Sequence, residues 1–174
     1  SLLDSPRPFH LYGMPGFEIE GDASPPSDAG SADRPTAHAS WVDGEPVVDG
    51  VGDDAAWKNA PPVDFATDYK GAATSISTRV RFVYNANALY ALWELDGANV
   101  NTDVSKSVLE DRPKLYEEDC TELFLAPDPN AKAHYFEVEV GPLGHFLDID
   151  VNLGRKAPAQ AANVAWSSGL YVRT

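Results

Sequence analysis

The chain has 174 residues, with 13 Lys+Arg against 27 Asp+Glu, for a formal net charge of −14. Such a surface repels phosphate backbones and anionic lipid headgroups, so nucleic acid and membrane surfaces are poor partners; neutral sugars and cations remain. The length suits one domain with an appendage, the single Cys120 excludes an intrachain disulfide, and no stretch reaches the roughly 18–20 apolar residues of a membrane span.

The chain opens at Ser1-Leu2-Leu3-Asp4, without an initiator Met or a signal peptide, as a processed piece would. Residues 1–40 read as an irregular arm and linker. They hold Pro6, Pro8, Pro15, Pro25, Pro26 and Pro35, with Gly13, Gly16, Gly21 and Gly30 between them. Proline on this scale stops helices and spoils central strands. Phe9, Leu11, Tyr12, Met14, Phe17 and Ile19 are the groups that would pin the arm down.

From Trp41 onward the pattern is β. Asp49-Gly50-Val51-Gly52-Asp53-Asp54 is a turn entering a short amphipathic piece that buries Trp57. Thr78–Tyr84 alternates at period two, with Arg79 and Arg81 on one face. Asn85–Ala88 turns the chain into Leu89–Leu95, read as a largely buried strand and the second arm of a hairpin. Residues 99–113 are polar and loop-like, with one helical turn expected near Ser105–Leu109. Thr121–Leu125 is a strand closed by the Pro127–Asn130 turn. Tyr135–Val140 and Phe146–Val151 form a second hairpin around Gly141-Pro142-Leu143-Gly144. Tyr171–Thr174 reads as a further strand with no return partner, so more of the domain is expected beyond Thr174. Many short strands with turns between them imply an all-β sandwich or barrel.

The candidate chemistry is acidic. If the second hairpin buries its apolar side, Glu137, Glu139, Asp148 and Asp150 share the other; Glu118, Cys120 and Glu122 share a face with Tyr116 on the preceding strand. Crowded carboxylates raise one another's pKa. Arg79 and Arg81, a bound cation, or ligand hydroxyls are the groups that would offset them. An aromatic ring beside such acceptors suits a sugar, because Tyr116 offers a flat surface to the C–H face of a pyranose. Paired carboxylates also permit glycoside hydrolysis, but nothing separates an acid from a base. The chain has no G-x-S-x-G elbow, no Gly-rich phosphate loop and no H-E-x-x-H. His134 and His145 stand at unsupportive metal-ligand spacing, Cys120 reads as a buried thiol, and Asp96–Asp103 offers oxygens for calcium.

Together, Val48-Asp49-Gly50, Arg79–Tyr84 with Leu89-Tyr90, Tyr116–Phe124, and Tyr135–Gly144 resemble carbohydrate-binding module family 9 and the family 9-like, DOMON-related domains around it. The resemblance covers about residues 42–174. It implies an antiparallel two-sheet β-sandwich, immunoglobulin-like or jelly-roll-like, over residues 41–174 and truncated at its C-terminal end. It also implies non-catalytic binding of a neutral polysaccharide or oligosaccharide and structural calcium. The expected setting is secreted, periplasmic or cell-surface, including service as an accessory module of a glycoside hydrolase. In that picture Tyr116 stacks on a sugar ring, while Glu122, with Glu118, Glu137 and Glu139, accepts hydroxyl hydrogen bonds. Binding members can use Arg and Asn at the positions of Glu137 and Glu139, so two carboxylates change the donor supply. A second aromatic wall from a later loop has no match. The rival readings are a protein-interaction scaffold on the same fold, a haem domain for which Met14 is the available thioether, and a glycoside hydrolase.

Overall fold

A glycine and an aspartate fix the first compact piece of the chain. Gly52 has φ +69°, a backbone conformation that favours glycine, and a Cβ there would come within 2.3 Å of Leu92 Cδ2 and push that side chain aside. Asp54 then caps helix α1 (Ala55–Asn59), its carboxylate accepting from Trp57 N at 3.2 Å and Val47 N at 2.7 Å. The cap delivers Trp57 into the interior, where its indole N–H donates to Val47 O at 3.0 Å. Trp57, Ala60 and Val83 form a buried cluster, with Val42, Tyr90 and Leu92 packed against it.

The structure is a computed structural model. It describes residues 9–11, 17–19, 36–67, 72–97, 100–128, 130–131, 133–156 and 161–174. After β1 (Phe9–Leu11) and β2 (Phe17–Ile19) come β3 (Ala39–Trp41), α1, β4 (Val63–Thr67), β5 (Ala73–Tyr84) and β6 (Leu89–Asp96). A 3₁₀ turn (Leu115–Glu117) precedes β7 (Thr121–Ala126), β8 (His134–Val140), β9 (Phe146–Asn152) and the short β10 (Ala162–Asn163). The chain is all-β on two sheets, the architecture of the β-sandwich class. One sheet has the order β10-β9-β8-β7-β1-β2; the other has β3-β5-β4, with β6 also on β5. The β4–β5, β5–β6, β1–β7, β7–β8, β8–β9 and β9–β10 pairs are antiparallel, and β3 and β5 run parallel.

Contacts divide the chain into two compact units, one holding β3–β6 and α1, the other β7–β10 and the 3₁₀ turn. In the first, the period-two pattern of β5 does what it predicts. Thr78, Val80 and Phe82 are buried on one face, with Trp93 edge-on to both Phe82 and Phe65. On the other face Arg79 pairs with Asp64 at 2.6 Å and Arg81 pairs with Glu94. These two arginines are therefore paired with acidic residues of their own unit. The expectation of a largely buried second arm fails, because the distal half of β6, from Glu94 to Asp96, lies exposed.

In the second unit the register differs from the expected one. The β8–β9 pairing sets Val140 opposite Phe146 and Val138 opposite Asp148. Directly opposed residues share a face, so Glu137 and Glu139 stand with Leu147, Ile149 and Val151. Asp148 and Asp150 stand with Phe136 and Val138 on the reverse side. The four carboxylates are thus split two and two. The cause is the turn. Gly141 N donates to His145 O at 2.8 Å and Gly144 N donates to Gly141 O at 3.0 Å, closing a three-residue loop whose last residue, Gly144, has φ +85°.

Two further expectations change. Ser105–Leu109 holds turns and bends but no helix; the only helical turn near it is Leu115–Glu117. Tyr171–Thr174 is not a strand. The arm contributes two short strands, and β1 pairs with β7 through His10–Ala126 and Leu11–Leu125. Met14 and the Gly21–Pro35 part of the linker lie outside the described residues.

Candidate functional site

The 3₁₀ turn presents Tyr116. Lys114 just before it has φ 65°, left-handed backbone that a non-glycine residue adopts at a cost of ~1 kcal/mol or more. Leu115 is anchored fully inside, and the next side chain, Tyr116, is 58% exposed. Beside this turn runs β8, which pairs with β7. Their register sets Glu122 directly opposite Glu139 and Phe124 opposite Glu137, so Glu122, Glu137 and Glu139 share one face. Glu122 is exposed, Glu137 half-buried, and Glu139 only 1% exposed.

Glu139 is the group under greatest electrostatic load. Both of its carboxyl oxygens are buried without a hydrogen-bond partner. Burial first, then the charges of Glu137 and Glu122, push its pKa up to about 7. The backbone N–H of Tyr116 favours the anion but falls short of hydrogen-bond geometry. Burial also raises Glu137, with Glu122 adding to it, while the neighbouring Glu139 partly offsets the rise. Cys120 lies alongside, its Sγ 3.9 Å from Glu122 Oε1; burial and the charges of Glu122, Glu139 and Asp119 push the thiol up to about 12. It is a protonated, unreactive thiol at neutral pH.

Glu118, expected among the acceptors, is placed differently. Its Oε1 pairs with Arg112, and its Oε2 accepts from Asp103 N at 2.7 Å. Arg112 is itself buried, gives a further hydrogen bond to Asp103 O at 3.3 Å, and its backbone N donates to Phe146 O at 2.8 Å. Glu118 therefore ties the Asp103 loop and Arg112 to the entrance of β9. The Asp103 N–H bond leads the causes that hold its pKa low.

The histidines are likewise engaged. His134 Nε2 meets Asp150 at 2.8 Å, and Arg155 pairs with the same carboxylate. His145 is buried, with Nδ1 at 3.5 Å from Thr102 Oγ1 and Nε2 at 3.3 Å from Lys106 O. Among the described residues no group of three or more His, Cys, Asp or Glu side chains is arranged to hold a metal ion. The Asp96–Asp103 loop, expected to offer oxygens to calcium, spends those of Asp103 locally: Oδ1 accepts from Ser105 N at 3.0 Å and Ser105 Oγ at 2.7 Å.

Three features were missed in the sequence. Trp41 is 54% exposed and stands edge-on to Tyr84 at 5.4 Å, its indole N–H held by Asp43 at 3.0 Å. Its position just before the Asp43-Gly44 turn was the available signal. Tyr171 is also exposed, with the Arg173 guanidinium 4.1 Å from its ring centre. It borders a hollow of about 430 Å³ with Val108, Leu109, Leu143 and Phe146, and no carboxylate lines that hollow. Finally, Asp148 is fully buried: Oδ2 accepts from the backbone and hydroxyl of Ser168, while Oδ1, like Asp111 Oδ1, is buried without a partner.

Residues 48–148 match the family model described as "Carbohydrate family 9 binding domain-like", and the chain belongs to that family. Searches of curated proteins and of solved structures return no match. The family makes a glycan the expected partner class. Among the described residues no helix is long and apolar enough to cross a membrane.

Proposed function

We propose that this chain is a non-catalytic glycan-binding module working in a secreted, periplasmic or cell-surface setting. The observation that carries the reading is Tyr116, exposed on its short turn beside the acidic face of β7 and β8. The phenol stacks on a sugar ring, while Glu122 and the accessible part of Glu137 accept hydrogen bonds from its substituents. Hydrolysis is disfavoured because Glu139, the carboxyl best able to hold a proton at neutral pH, has both oxygens buried away from any glycosidic bond. A haem role is disfavoured because His134 and His145 already have partners.

Calcium enters this reading only as a loop stabiliser. The fitting position is the Asp111–Asp148 pair, where two buried carboxylate oxygens lack partners. Backbone carbonyls and water would complete the six to eight oxygens calcium takes.

Isothermal titration against a panel of neutral and charged oligosaccharides tests the glycan reading. Tyr116→Ala is expected to weaken binding at least tenfold with the thermal melt unchanged. Absence of heat with every oligosaccharide would overturn the reading and favour a protein-interaction scaffold on the same fold.

A further inference from the structure

We propose that the acidic face of β7 and β8 selects an amino sugar, a saccharide whose ring carries a protonated amine seated between Glu122 and Glu137 and backed by Tyr116. The inference rests on the glycan-binding reading and specifies its ligand.

Three carboxyl side chains share one face of two adjoining strands, with Glu122 and Glu139 directly opposed. Like charges so placed destabilise the pair. None of the ion pairs formed among the described residues includes Glu122, Glu137 or Glu139. Arg79, Arg81, Arg112 and Arg155 are engaged with Asp64, Glu94, Glu118 and Asp150. Lys114 lies close to the Tyr116 phenol but is held by Glu117 at 3.1 Å. The decisive group is Glu139, buried beneath the patch with neither oxygen hydrogen-bonded. A buried acceptor of that kind costs on the order of 1–3 kcal/mol while it has no partner.

A neutral sugar hydroxyl satisfies acceptors but leaves the mutual repulsion in place. An ammonium supplies three donors and a positive charge at once. It also sits well against the face of a tyrosine ring. A divalent cation is the competing occupant, but the described residues show no set of three acidic, His or Cys ligands arranged around one point. The net charge of −14 attracts a polycationic glycan to the whole molecule before it reaches the site.

Proton linkage gives the proposal a signature. The groups facing Glu139 are Glu137, Glu122, Cys120 and the Tyr116 backbone, and none is cationic. Held near pH 7 by burial and these neighbours, the Glu139 proton is displaced when a cation arrives above it. Binding of a sugar whose amine is already protonated therefore releases a proton; binding of a neutral sugar does not.

The experiment titrates the intact chain with β-1,4-linked tetrasaccharides of glucosamine, N-acetylglucosamine and glucose, and with spermidine and CaCl₂. Each titration is run near pH 5.5, where the sugar amines are already charged and Glu139 still holds its proton, in two buffers of different ionisation enthalpy. The glucosamine tetramer is expected to bind at least tenfold tighter than its N-acetylated counterpart, with proton release. Glu122→Gln and Glu137→Gln should each remove that preference without lowering the melting temperature. Neutral tetramers that bind as well as the glucosamine tetramer would overturn the amine proposal and leave the glycan reading standing. Spermidine binding as tightly as the glucosamine tetramer, or CaCl₂ competing for the site, would assign the patch to simple polyamines or to a metal and overturn it. Failure of all three sugars would overturn the glycan reading itself.

Discussion

Glu139 shows how one side chain couples stability to acidity. Its folded-state pKa of about 7 lies above the ordinary 4.5, so its contribution is fully present below the ordinary value and is lost as pH rises through about 7. Glu118, Asp103 and Asp150 have lowered values and act in the opposite sense, losing their contribution as pH falls. Comparison with Glu139→Gln isolates the first effect. The substituted protein should gain on the wild type between pH 5 and pH 8, by ~2 kcal/mol at the alkaline end, read from urea midpoints. A difference that stays flat with pH would mean that Glu139 is ionised throughout. The sequence put Glu137 and Glu139 on one face because period-two alternation is a property of the backbone, and it joined Glu122 to them only through the family resemblance. Glu118 lies ahead of the strand, where alternation no longer decides direction. There Arg112, six residues upstream, captures the side chain.

At the scale of elements, the 3₁₀ turn and the β8–β9 hairpin decide where the ring and the acids stand. Leu115 has no exposed surface and is the peg on which Tyr116 is hung. Leu115→Ala should cost ~2–5 kcal/mol and weaken glycan binding as well, since the ring loses its fixed support. The check is a denaturation curve beside a titration; lost stability with undiminished affinity would separate the two roles. The Asp111–Asp148 pair carries a prediction of its own. Millimolar calcium should raise the melting temperature of the wild type but not of Asp148→Asn, and a chelator should reverse the rise. Strands β5 to β9 were legible as period-two or apolar runs between turn residues, with β5 read from Thr78 and not from Ala73; β4 and β10 were not read. The pairing of β8 with β9 was not, because the faces depend on the loop's residue count and on Gly144 taking positive φ. Sequence shows which residues alternate but not which strand positions meet. The short strands β1 to β3 were hidden for a different reason, since three residues of strand carry too little pattern to stand out in a Pro- and Gly-rich stretch.

For the molecule as a whole, charge dominates. A net −14 on 174 residues, with most described arginines committed to single acidic partners, leaves a large uncompensated negative field. Raising NaCl from 50 to 500 mM should therefore increase the melting temperature by screening self-repulsion. The same salt should weaken the glucosamine tetramer, so stability and affinity move in opposite directions in one buffer series. Parallel movement would show that the field plays no part in recognition. The hairpin loop Pro142-Leu143-Gly144 gives the acidic face its evolutionary fragility. Insertion or loss of one codon there would slide β9 past β8 by a single step, gathering Asp148 and Asp150 beside Glu137 and Glu139. A two-tiered sugar seat would then become an ion trap with no change to any acidic residue.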